Sequence, residues 1–173
     1  MYYVSMQTGE LFEKIYSRIL DFISYQPRTT HEVSQKIDKL SQRWDLSPEE
    51  LAELKSQVIT ELKEIHLLSD LEFAKSYVSS FSSGRSTSAQ KIRTFLYKKG
   101  IDRQIVDEAI KDMDPEFEFA SALADGEKKL RILQLSRNYD ANLAHKKLYM
   151  YLLGKGYPYN VCNSVVDRIA SVK

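Results

Sequence analysis

A chain of 173 residues with 43% hydrophobic and 28% charged side chains is long enough for one ordinary domain or a short row of small ones. Its 25 basic and 24 acidic residues leave a net charge of +1, which excludes the large excess of a strongly basic nucleic-acid binder, and its single cysteine, Cys162, excludes an internal disulfide and a cysteine-based metal cluster. No apolar run approaches the roughly 20 residues of a membrane span, and MYYVSMQTGE has neither the basic flank nor the apolar core of a signal peptide, so a cytoplasmic protein without a membrane partner is expected.

Apolar residues return at three- and four-residue steps along nearly the whole chain, and no clean period-two stretch interrupts them, which predicts an all-α protein. Leu11, Ile15, Ile19 and Phe22 form one face of a first helix that the Pro27 region should end. Thr29 or Thr30 is placed to cap a second helix with Val33, Ile37 and Leu40 inward. Ser47, Pro48, Glu49 and Glu50 have the order of an N-cap, an N1 proline and acidic first-turn residues, ahead of the stripe Leu51, Leu54, Val58 and Leu62. A fourth helix is expected after Ser69 and Asp70 with Phe73, Tyr77 and Val78 at core spacing, ending in the loop SSFSSGRSTS. Thr87 or Ser88 caps the next, with Ile92, Phe95 and Leu96 inward, and Gly100 closes it in the left-handed conformation. Ile105, Val106, Ala109 and Ile110 define a short helix after that.

The remaining segment repeats this plan. Ile92, Phe95, Leu96, Lys99, Gly100 and Ile101 have counterparts 56 positions later in Leu148, Tyr151, Leu152, Lys155, Gly156 and Tyr157. Phe73, Ala74 and Tyr77 match Phe119, Ala120 and Leu123 at an offset of 46, so ten residues are expected to be added between. The chain therefore divides into three tandem three-helix repeats, residues 1–66, 67–114 and 115–173, the first atypical and acidic, in an elongated, curved row whose members bury their apolar faces against one another. Cys162 falls opposite Val106 and is expected to be buried apolar filler. Trp44 is expected to pack at the end of the first repeat.

Charge is unevenly spread, with 8 basic against 12 acidic residues over 1–70, 8 against 6 over 71–114 and 9 against 6 over 115–173. Arg85, Lys91, Arg93, Lys98, Lys99 and Arg103 make the leading candidate patch for a partner. Lys128, Lys129, Arg131, Arg137, Lys146, Lys147 and Lys155 occupy the equivalent repeat, so the two sets are expected to form one basic stripe. Guanidinium forks and ammonium groups engage carboxylates or phosphates, and the helix start near Thr87 and Ser88 adds amides that favour anions. A solvated helix face is the ordinary alternative. Tyr151 and Tyr157 should be core residues like their counterparts Phe95 and Ile101, leaving Tyr97, Tyr149 and Tyr159 open to a partner. His31, His66 and His145 lie in different repeats without metal-ligand spacing, and no phosphate-binding glycine loop is present; no cofactor, metal site or enzymatic activity is expected.

Three stretches, YQPRTTHEVSQKI (25–37), HLLSDLEFAKSYV (66–78) and above all GRSTSAQKIRTFLYKKGIDRQIVDEAI (84–110), resemble the RecX family of bacterial regulators, which are built of three tandem three-helix repeats. The similarity runs from about Tyr16 to Ile169, with His66-Leu67 standing where the family usually has glycine-tyrosine. The resemblance implies a protein that binds the RecA nucleoprotein filament and restrains its ATPase, co-protease and strand-exchange activities; a monomer is expected. A helical DNA-binding module without a recombinase partner, touching single- or double-stranded DNA, and a protein scaffold are the other two readings.

Overall fold

The computed structural model describes residues 2–81, 86–111, 113–137 and 140–171, with side chains described from Gly9 onward and Pro115 excepted. Among them are nine helices and no strand: α1 (Tyr2–Tyr25), α2 (Thr30–Ser41), α3 (Pro48–Glu64), α4 (Asp70–Ser79), α5 (Ala89–Lys98), α6 (Arg103–Lys111), α7 (Pro115–Gln134), α8 (Ala141–Gly154) and α9 (Tyr159–Ala170). None of these helices is long and apolar enough to cross a membrane. The chain forms two compact units, one of Met1–Ala74 with Tyr97–Ile105 and the other of Lys75–Leu96 with Val106–Lys173, so that α4, α5 and α6 are each divided between them.

In the first unit α1, α2 and α3 pack pairwise around Leu11, Ile15, Ile19, Val33, Ile37, Leu54, Val58 and Leu62, closed by Leu68. The local reasons are legible at each helix start. Thr29 and Ser47 both make capping boxes: each hydroxyl accepts from the backbone N–H three residues on, while Glu32 and Glu50 reach back to the cap N–H. At the far end of α3 the Leu67 N–H donates to the Leu62 carbonyl and the His66 N–H to that of Lys63, which places His66 in the left-handed region at φ +58. The position where the similar family carries glycine is thus one that a side chain occupies only with strain. His66→Gly should therefore raise the unfolding free energy by about 1 kcal/mol in urea titration, because glycine takes this backbone shape without a Cβ penalty.

In the second unit α7, α8 and α9 pack pairwise around Ala122, Leu148, Leu152, Tyr157, Cys162 and Val165. Tyr77 stacks on Phe95 with ring centroids 4.0 Å apart. Cys162 is buried as expected, and burial pushes its thiol pKa up. In α4 the fully buried residue is Ala74, with Phe73, Tyr77 and Val78 half-buried around it.

The two copies of the repeat correspond differently from the sequence match. Asp70, at the start of α4, accepts a hydrogen bond from the Thr30 N–H, and Glu118, in the first turn of α7, accepts the same bond from the Ala89 N–H. Ala74 and Ala122 are both fully buried, whereas Ala120 is exposed. The structural offset between α4 and α7 is therefore 48, not 46, and eight residues are added before α8 instead of ten. A recurring Glu-Phe-Ala triplet, 72–74 and 118–120, drew the sequence match two residues out of register. Hydrogen bonding and burial follow the helix face, which the triplet does not share.

Candidate functional site

Two turns with the same chemistry carry the structure that surrounds the candidate cations. Lys99 and Lys155 are the C-caps of α5 and α8, and Gly100 and Gly156 follow with φ of +74 and +85. Each lysine carbonyl accepts the hydroxyl of a helix-capping residue far up the chain: Thr29 Oγ1 donates to Lys99 at 2.8 Å, and Ser88 Oγ donates to Lys155 at 2.8 Å. The cap residue thus serves its own helix and the end of another, and both hydroxyls are fully buried.

The side chains of the same lysines turn inward too. Lys99 Nζ lies 2.7 Å from Glu32 Oε1. Burial alone would raise the Glu32 carboxyl, but the hydrogen bonds from Lys99 and from the Thr29 N–H outweigh it and hold its pKa below the usual carboxylate value. Lys155 Nζ lies 3.4 Å from Asp125 Oδ2; burial lowers its pKa, but contacts with Tyr151 and Asp125 prevail and raise it. Asp125 is only 5% exposed and also accepts from Ser86 Oγ and Tyr157 Oη, both at 2.8 Å. Lys99 and Lys155 are accordingly engaged inside the fold.

The other candidates divide by exposure. Lys91 and Lys98 are exposed on α5, seven residues apart and so on one face, while Arg93 is half-buried with its Nε 3.7 Å from Asp107 on α6. Arg103 opens α6 and is exposed. On α7, Lys128 is exposed, Lys129 lies 5.3 Å over the Tyr151 ring and Arg131 reaches Glu127 at 3.9 Å. Arg137 is exposed just beyond α7. Lys146 and Lys147 are exposed on α8 beside the exposed apolar side chains Leu143 and Met150. Lys91 and Lys147 occupy equivalent positions of the two repeat copies. Arg85, named first in the candidate patch, lies outside the described residues.

The helix start expected to receive a partner's anion already holds one. Glu118 Oε1 accepts from the Ala89 N–H at 3.1 Å, and Ser88 Oγ takes the Lys91 N–H, so the first amides of α5 are occupied within the second unit. Among the tyrosines, Tyr157 is core, Tyr151 and Tyr149 pack half-buried against that core, and Tyr97 and Tyr159 are exposed. Among the described residues no three His, Cys, Asp or Glu side chains converge as a metal site. A feature absent from the sequence reading is a groove of about 590 Å³ in the first unit, where Arg18, Lys39, Arg43 and Trp44 meet.

Comparison with known proteins gives this arrangement its relatives. The family model described as RecX, second three-helix domain, matches residues 69–110. "Regulatory protein RecX" of Clostridium perfringens (strain 13 / Type A) is 36% identical over 110 residues, covering 64% of this chain and 50% of that protein. The protein of the same name from Finegoldia magna is 28% identical over 155 residues, covering 89% of this chain and 71% of the relative. The chain spans about half the length of the first curated relatives it matches. A solved structure described as a crystal structure of regulatory protein RecX superposes with a TM-score of 0.79 at 26% identity, over 95% of this chain and 75% of that one. RecX from Lactobacillus salivarius shares the fold at the same TM-score and 24% identity, over 95% and 99% of the two chains. With nine helices among the described residues, the doubled Lys-Gly turn, a RecX second three-helix domain over residues 69–110 and these relatives, the chain is similar to the RecX family along nearly its whole length.

Proposed function

We propose that this chain is a regulatory protein that binds the RecA nucleoprotein filament and lowers its ATPase, co-protease and strand-exchange activities, acting in the cytoplasm as a monomer and by binding, without chemistry of its own. The observation that carries the reading is the similarity to RecX proteins, in the matched second three-helix domain and in the fold. The contact is assigned to the exposed lysines on the outer faces of α5, α7 and α8, Lys91, Lys98, Lys128, Lys146 and Lys147, together with Arg103 and Arg85. Lys99, Lys155, Arg93 and Lys129 are half-buried with partners within the fold and serve the interface by shaping its support, while Arg131, exposed beside Glu127 on α7, joins the contact set.

Purified protein should slow ATP hydrolysis by RecA on single-stranded DNA. The triple variant Lys91→Glu, Lys146→Glu, Lys147→Glu should need roughly tenfold more protein for the same slowing, because charge reversal at an exposed rim acts through association and its salt dependence. An unchanged inhibition curve removes these lysines from the interface, and absence of any effect by the unaltered protein removes the recombinase reading itself.

A further inference from the structure

The first unit is acidic overall, yet it contains a concave surface of the opposite sign. Where α1 passes the end of α2, a groove of about 590 Å³ is lined by Arg18 from α1, Lys39 from the last turn of α2, and Arg43 and Trp44 from the turn that follows. The turn is tight, since the Trp44 N–H donates to the Ser41 carbonyl at 3.0 Å. Arg18, Lys39 and Arg43 are exposed, and none of them forms an ion pair among the described residues. Lys14 also lines the groove but is held by Glu10 at 2.8 Å, so that pair is internally balanced. Glu13 is the other acid of the wall. Among the described residues, three cations without an ion pair stand against one such carboxylate, which leaves the groove positive.

Leu40 is half-buried in the groove, and the Trp44 indole stands 37% exposed there. An aromatic ring left partly uncovered among cations has a specific chemical complement: a polymer that alternates a negative group with a flat apolar one. Nucleic-acid strands with unpaired bases are built this way, and base stacking on an aromatic side chain together with phosphate neutralisation is the general means by which proteins hold them. A carboxylate peptide satisfies the cations but leaves the indole uncovered.

We propose that this groove is a binding site for single-stranded nucleic acid, with Trp44 stacking on a base and Arg18, Lys39 and Arg43 neutralising successive phosphates. It shares no residue with the lysine faces assigned to the recombinase and does not rest on that assignment.

Trp44 is the only tryptophan in the chain, so its fluorescence reports this groove and no other. With no recombinase present, adding oligothymidylate to the full chain should quench that fluorescence saturably. Three phosphate contacts predict a slope of log affinity against log salt of about −2, which should fall to about −0.7 for the double variant Lys39→Gln, Arg43→Gln. Followed by anisotropy of a labelled strand, Trp44→Ala should weaken binding by about tenfold and Trp44→Phe should retain most of it. Absence of quenching by the unaltered protein, or equal affinity and salt slope in the Lys39/Arg43 variant, overturns the proposal. Quenching by oligoglutamate as strong as by oligothymidylate assigns the groove to an acidic peptide instead and overturns it equally.

Discussion

Gly100→Ala is expected to destabilise the protein by about 2–4 kcal/mol, moving its urea midpoint down by more than about 1 M. Two effects act together at this position. The backbone is at φ +74, where a Cβ collides with its own carbonyl, and a Cβ built there stands 2.4 Å from both Cβ and Cγ of His31. The first of those atoms is fixed to the α2 backbone, so rotating the imidazole does not relieve the overlap. Two controls separate the contributions. Gly156→Ala shares the left-handed backbone at φ +85 but meets first the Ser88 Oγ at 3.0 Å, and should cost less. Gly154→Ala, in the last turn of α8 with nothing within 4 Å, should be neutral or slightly stabilising. Equal melting of all three variants with the unaltered protein would show that the Lys-Gly turns are not packed as described.

Asp125→Ala should be similarly damaging, at about 2–4 kcal/mol, since it leaves the buried Tyr157 hydroxyl without its acceptor and takes the carboxylate from the half-buried Lys155 ammonium. Asp125→Asn, which keeps the shape and one acceptor oxygen but removes the charge, should fall between the two. The site also carries a signature at high pH. Burial, and then the hydrogen bond to Asp125, raise the pKa of the Tyr157 hydroxyl well above its ordinary value of 10.0. A group whose folded pKa is raised contributes stability that is complete below the unfolded value and lost as pH climbs toward the folded one. The unfolding free energy should therefore decline above about pH 10, and Tyr157→Phe should flatten that decline. A Tyr157→Phe profile identical to that of the unaltered protein would dissociate the hydroxyl from the alkaline limb.

Helix starts and stops were readable from local chemistry. Thr29, Ser47 and Ser88 are caps because a short hydroxyl side chain reaches its own helix's amides, and Gly100 and Gly156 end helices because they lack a Cβ; neither fact requires distant residues. What those residues do for the rest of the chain depends on partners 67 and 70 positions away, and a pattern of helix periodicity contains no such pairing. Lys99 and Lys155 looked like members of a basic patch for this reason: their spacing is that of a helix end, and only the packed fold brings Glu32 and Asp125 to them. The groove at Trp44 was hidden by averaging. Lys39, Arg43 and Trp44 are close in sequence and were a usable signal, but the excess of acids over residues 1–70 masked them, and Arg18 joins only because α1 passes α2.

The hydroxyl of Thr29 waits for a carbonyl that the ribosome makes 70 residues later, and the first compact unit needs Tyr97–Ile105 to close. During synthesis α1, α2 and α3 therefore emerge well before the strap that seals them, and the segment between must leave the exit tunnel in the meantime. A nascent chain ending before residue 99 therefore lacks the carbonyl that the Thr29 hydroxyl meets in the complete fold, and limited proteolysis of such a stalled chain should cut near the α2 start faster than in the full chain.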